Sequence, residues 1–189
     1  MNYLLEVEPL DLGPDVRAVS LELVEGNEDR EPVLGSDAAA IWSRVLSACA
    51  ATEHWVLDFF SHLDRLRDYC DRHGIAFRIA SNRSLVIDAS ELEKDSTKLA
   101  GLLERFEGET FGARAGGPLT GGDPALEADL AHRGVDAYHP VFPNYLFCAV
   151  CNFEDGSLVF LSNQLWATEV VRRIRPLLTE MKVDVRVPA

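Results

Sequence analysis

YLFCAVCNFEDGSLVFLSNQLWATEVVRRIRPLLTEMKVDVRV, residues 145–187, is the stretch whose reading decides the fold. Tyr145–Phe153 is strand-like, Asp155-Gly156 is a two-residue hairpin signal, and Leu158–Leu161 returns antiparallel. Ser162 or Asn163 then caps a helix whose apolar stripe is Trp166, Val170, Ile174, Leu177 and Met181. Pro176 lacks an amide donor and is expected to kink or shorten that helix. Val183, Val185 and Val187 alternate as a closing strand, so the chain ends in a ββαβ unit.

An upstream junction echoes this one. SLVIDASEL (84–92) and SLVFLSNQL (157–165) share their first three residues and their last, and each ends a hairpin and opens a helix. A duplicated ββα unit would explain the echo; similar junctions selecting similar residues would too. The upstream hairpin is 75–80 with 85–89, around Ser81-Asn82-Arg83-Ser84. Ser90-Glu91-Leu92-Glu93 has the form of a capping box opening a helix that runs through Leu99, Leu102, Leu103 and Phe106 to Gly108. Residues 108–122 hold six glycines and a proline, which predicts a mobile loop or linker. Asp123-Pro124 then starts a short helix that Gly134 ends.

Toward the N-terminus, residues 3–12 and 16–25 alternate apolar and polar around Gly13-Pro14-Asp15, which predicts a hairpin with one face in water. Pro9 marks its first strand as an edge. Residues 26–35 read as a charged surface loop. Between Ser36-Asp37 and Gly74, the residues Ile41, Val45, Cys49, Val56, Phe59, Phe60, Leu63, Leu66 and Cys70 fall on one helical stripe, which predicts a long helix over 36–73 with a break near Ala50–Thr52. The fold class is therefore α+β. A mostly antiparallel sheet of about six or seven strands should carry helices on one side, with the long helix as the main layer. One domain over 1–189 is the default for this length, with sub-units 1–107 and 123–189 on either side of the glycine-rich stretch.

Charge is distributed unevenly. The net charge is −13, and residues 1–35 carry nine acidic residues against Arg17 and Arg30, whereas the last 49 positions are neutral. A negative field repels phosphate and attracts basic surfaces, which argues against nucleic acid as a partner. No apolar run reaches the ~18–20 residues that a membrane span needs. MNYLLEVE has no basic n-region, so it does not read as a signal peptide, and a cytoplasmic location is expected. Arginine outnumbers lysine fifteen to three, which fits GC-rich bacterial coding.

Several residues are candidates for chemistry. His132, His139, Cys148 and Cys151 have the donor types of a structural zinc site, but their spacing fits no zinc module, and in a regular strand the two cysteines point to opposite faces. Core cysteines are the favoured reading. The same set admits a nucleophile, with His139 as base and Asp136 orienting it. His54, Asp58 and His62 recur at fourth positions and would share a face of the long helix, most simply a solvated one. Arg172, Arg173 and Arg175 form the basic cluster, already offset in part by Glu169. Tyr138, Phe142 and Tyr145 alternate along a segment that two prolines hold extended.

Two functional classes follow. The first is a non-catalytic acidic binding protein: an adaptor, an inhibitor or immunity-type protein, or a regulatory subunit. It would act through Glu22, Glu25, Glu28, Asp29 and Glu31 with Tyr138, Phe142 and Tyr145, on a protein partner with a basic surface or on a second copy of itself. It needs no cofactor and engages neither nucleic acid nor membrane. The second is a hydrolase or zinc-dependent enzyme using the His/Cys set at 132–151.

Overall fold

The structure, a computed structural model, describes residues 2–11, 17–49, 54–59, 63–81, 84–93, 95–105, 110–115, 147–152, 156–162 and 167–187. In chain order these form β1 (Tyr3–Asp11), β2 (Arg17–Glu25), α1 (Gly35–Cys49), β3 (His54–Phe59), α2 (Leu63–Arg72), β4 (Phe77–Ile79) and β5 (Ser84–Asp88). Then come α3 (Ala89–Glu93), α4 (Ser96–Glu104), β6 (Thr110–Ala115), β7 (Phe147–Asn152), β8 (Ser157–Ser162), α5 (Ala167–Glu180) and β9 (Val183–Arg186). The strands make one nine-stranded sheet in the order β4-β5-β3-β6-β7-β8-β2-β1-β9. Each pairing is antiparallel except that of β1 with β9. The fold is α+β, as the sequence predicts.

Period-two alternation places the core. Leu5 and Val7, Leu21 and Leu23, Trp55 and Leu57, Leu85 and Ile87, and Leu158 and Phe160 belong to one buried cluster with residues of all five helices. The helices therefore cover one face of the sheet, where α1 packs between α4 and α5. Trp42 of α1 is the largest fully buried side chain there. Each such apolar side chain contributes ~1.5–3 kcal/mol of transfer free energy.

The C-terminal stretch contains two strands, a helix and a further strand, and the helix continues through Pro176 to Glu180. β7 and β8 form the hairpin, and Gly156 in its turn has φ 61. A side chain there would also meet the Leu23 carbonyl oxygen at 2.8 Å, so the residue must be glycine on two counts. Helix α5 buries Val170, Val171, Ile174 and Leu178 and contains Pro176. β9 then leaves its own hairpin and crosses to lie parallel to β1 over Tyr3–Glu6. β1 is thus no edge over those residues, while Pro9 lies beyond them, opposite Val19 of β2. The turn Gly13-Pro14-Asp15, the helix predicted after Pro124, the candidate cap Asn163 and the stripe residue Trp166 fall outside the described residues.

Three expectations are corrected. The helix predicted over 36–73 is two helices with β3 between them. Within β3 the residues from Trp55 to Asp58 are buried on both faces, Trp55 and Leu57 toward the helices, Val56 and Asp58 away from them. A strand apolar on both sides has no clean period of two, so its residues align with a helical stripe as readily. Within the stretch read as a loop, Thr110–Ala115 is β6, hydrogen-bonded to β3 on one side and β7 on the other. With β3 and β6 added, the sheet has nine strands. Finally, the capping box at Ser90 covers only the short α3, where the Ser90 amide donates to Asp88 Oδ1 at 2.9 Å. The longer α4 starts at Asp95, whose carboxylate accepts from the Thr97 amide at 3.0 Å and the Thr97 hydroxyl at 2.6 Å.

Helix α4 yields a test whose sign runs against propensity. Alanine in place of a helical glycine usually stabilises by about 1 kcal/mol. At Gly101 the added methyl would collide with the Tyr69 hydroxyl of α2, which donates to the Lys98 carbonyl. Gly101→Ala is expected to lower stability by ~1–3 kcal/mol in urea denaturation.

Candidate functional site

On the face away from the helices, two ladders of side chains cross the middle of the sheet. The register places Val86, Val56, Arg114, Cys148, Leu161 and Ala18 in one row. Ser84, Asp58, Gly112 and Val150 form the next. These residues are buried, and at their centre is an ion pair. Arg114 Nε donates to Asp58 Oδ2 and its Nη2 to Asp58 Oδ1, both at 2.7 Å, and the Ser84 hydroxyl donates to Asp58 Oδ1 at 2.7 Å. The side chains are 3% and 1% exposed. The geometry is a two-pronged guanidinium–carboxylate pair. Arg114 reaches Asp58 along its own strand past Gly112, which has no side chain to block the path. Among the described residues, no buried side-chain nitrogen or oxygen lacks a hydrogen-bond partner.

The candidates distribute unevenly over this frame. Asp58 and His54 lie on β3 rather than on a helix surface, so the predicted His54–Asp58–His62 helical face does not form; His62 is outside the described residues. Asp58 proves to be the buried partner of Arg114, a role its spacing concealed. Cys148 sits opposite Arg114 and is fully buried. Burial pushes its thiol well above the usual range, against the opposing pull of Arg114. Cys151 occupies the register position opposite Phe111 and Leu158, three positions from Cys148. Two strand positions of opposite parity do not bring their side chains to one metal ion. His132, Asp136, His139, Tyr138, Phe142 and Tyr145 lie outside the described residues. Among the described residues, no group of three or more His, Cys, Asp or Glu could hold a metal.

The arginines of α5 are engaged locally. Glu169 accepts from Arg172 Nε and Nη2 at 2.8 and 2.7 Å and from Arg173 Nε at 2.8 Å. Arg172 and then Arg173 hold its carboxyl down at about 2. Arg173 also reaches the carbonyl of Cys49 at the end of α1, at 3.5 Å. Arg175 donates to the Val185 carbonyl at 3.3 Å.

Glu6, Glu8 and Glu22 of the first hairpin share its face away from the helices. Glu6 lies directly opposite Glu22 and Glu8 opposite Ser20, and Glu8 and Glu22 are exposed. Glu25 is partly exposed, and Glu28, Asp29 and Glu31 are exposed in the following loop. The loop is pinned by the Glu25 amide on the Glu31 carbonyl at 2.9 Å and by the Val24–Pro32 bridge. Arg30 pairs with Glu6, and Arg186 stands 3.9 Å from it.

Three measurements follow. Arg114→Ala leaves a buried carboxylate without its main partner and is expected to cost ~3–5 kcal/mol in chemical denaturation, whereas Asp58→Leu/Arg114→Met together should recover much of that loss. Glu169 is depressed from 4.5 to about 2 in the folded protein. Its stabilising contribution is therefore full above the unfolded value and fades as pH falls toward about 2; the thermal-midpoint gap between wild type and Glu169→Gln should close over that window. Burial raises the Cys49 and Cys70 thiols to about 12 and about 11. Iodoacetamide at about pH 8 should label neither until the protein is unfolded.

Compared with known proteins, the chain matches no family model, no characterised protein and no solved structure.

Proposed function

We propose that this chain is a non-catalytic acidic binding protein, an adaptor, an inhibitor of the immunity type or a regulatory subunit, that docks a protein partner with a basic surface through its first hairpin. The observation that carries the reading is the pairing of Glu6 with Glu22 directly across two strands, with Glu8, Glu25, Glu28, Asp29 and Glu31 around them. Like charges directly opposite in a sheet are destabilising. A basic surface would relieve that repulsion on contact and would be steered toward it from solution. The α5 arginines support the reading from the other side. Their hydrogen bonds go to Glu169 and to backbone carbonyls rather than to the hairpin carboxylates. The same field disfavours nucleic acid. No helix formed by the described residues is long and apolar enough to cross a membrane.

One substitution separates a binding role from a structural one. Glu22→Gln removes the cross-strand repulsion and is expected to stabilise the isolated protein by ~0.2–1 kcal/mol. It should also weaken capture of the partner, most clearly when combined with Glu28→Gln and Glu31→Gln. Retention should fall between 0.1 and 1 M salt, as the screening length drops from about 10 to about 3 Å. Capture indifferent to salt and to all three substitutions would remove the basis for this role.

A further inference from the structure

The sheet ends at β9, and no described strand pairs with its outer edge. A cleft of about 320 Å³ lies at that end of the sheet, lined by every residue of β9, by Leu4 of β1 and, from α5, by Arg175 and Thr179. Its size is that of a small ligand site, and its lining takes in the whole of one strand. The parity of the strand says what it offers. The Val185 carbonyl points outward, where Arg175 takes it. In a strand, one residue's N–H and C=O point to the same side, so Val183 and Val185 present two donors and two acceptors to the cleft, while Asp184 and Arg186 face β1 with their backbone. An edge of this kind is a template for another strand unless something covers it.

Among the described residues, the covering of this edge is slight. One exposed arginine donates one hydrogen bond, at 3.3 Å, to one of the four groups. Arg186, on the same edge, has only Glu6 at 3.9 Å and is 64% exposed. Asp184 is the single opposing charge lining the cleft. Two guanidinium groups thus flank an unpaired edge with most of their donors unused.

We infer that the β9–α5 cleft is a strand-addition site for an extended, acidic peptide segment of a partner protein. The incoming strand takes the outward groups of Val183 and Val185. Its amide displaces Arg175 from the Val185 carbonyl, and the released guanidinium pairs with an acidic side chain, as Arg186 does on the other side of the sheet. This surface is distinct from the acidic hairpin face and selects the opposite charge, so it stands or falls independently of the role proposed there.

The test uses the full chain with N-acetylated Val-Glu-Val-Glu-Val and Val-Lys-Val-Lys-Val as probes, monitored by backbone amide NMR and fluorescence polarisation. The glutamate peptide should bind and shift the amides of Val183 and Val185, and the lysine peptide should bind at least about tenfold more weakly. Arg175→Glu and Arg186→Glu should each weaken the glutamate peptide by about tenfold. Val185→Pro removes an outward donor without touching the β1 ladder, so it should abolish binding while thermal unfolding stays cooperative. Equal affinity for both peptides, shifts confined to another edge such as β4, or the same shifts produced by free glutamate at equal concentration would overturn the inference. Should Val185→Pro fail to fold, the two arginine variants decide alone.

Discussion

The Asp58–Arg114 pair is the constraint on which the sheet depends. It joins β3 to β6, third and fourth in the nine-stranded order, and these are the two strands whose sequences specify least on their own. One is an apolar run without clean alternation, the other a glycine-containing segment with little side-chain volume. Hydrophobic burial alone would tolerate alternative registers there. A buried charge does not, because a one-residue slip moves it to the other face and strips it of its partner, at a cost of several kcal/mol. Ser84 extends the same control to β5, and Cys148, opposite Arg114, is the neutral neighbour that lets β7 close over the pair. The pair therefore acts less through its own net free energy than through the arrangements it excludes.

From that centre the sheet divides by its two faces. The helix-covered face is continuous, from Ile87 on β5 through Ala113 and Ala149 to Val183 on β9. The other face is buried only in the middle. Toward β2, β1 and β9 it turns polar, with Glu6, Glu8 and Glu22 replacing Val56, Val86 and Val150 at equivalent parity. Two ties hold this end to the helices. The Tyr3 hydroxyl donates to Asp37 Oδ2 at 2.5 Å in the first turn of α1, and Val183 and Val185 pack under α5. This end is thus tied to the helices, while among the described residues one face and one edge of it carry no layer of their own.

What was legible in the sequence follows the same division. The first hairpin, α5 and β9 are readable because each has one face in the core and one turned to water, and the β7–β8 hairpin, buried on both faces, is readable because Asp155-Gly156 announces its turn. β3 was misread because both its faces are buried, and β6 because Gly112 and Ala113 are chosen for the space they leave rather than for strand propensity. The ion pair was hidden for a related reason. Asp58 and Arg114 are 56 residues apart and meet only through tertiary pairing, and no local spacing announces them. The acidic residues were visible as composition, but not the direct opposition of Glu6 and Glu22, which requires the hairpin register.

Glu6 connects the two surfaces. Its side chain is only 15% exposed, it is pressed by Glu22 across the strand, and it holds Arg30 from the loop and Arg186 from β9. Arg186 is thereby shared between the acidic face, which it partly neutralises, and the cleft, which it lines. A cation docking on the hairpin competes with Arg186 for Glu6 and leaves the guanidinium freer to face the cleft. An acidic strand in the cleft draws Arg186 away and deepens the negative potential of the hairpin. Occupation of either surface should then favour occupation of the other, because the one side chain cannot serve both and binding energies at linked sites are reciprocal.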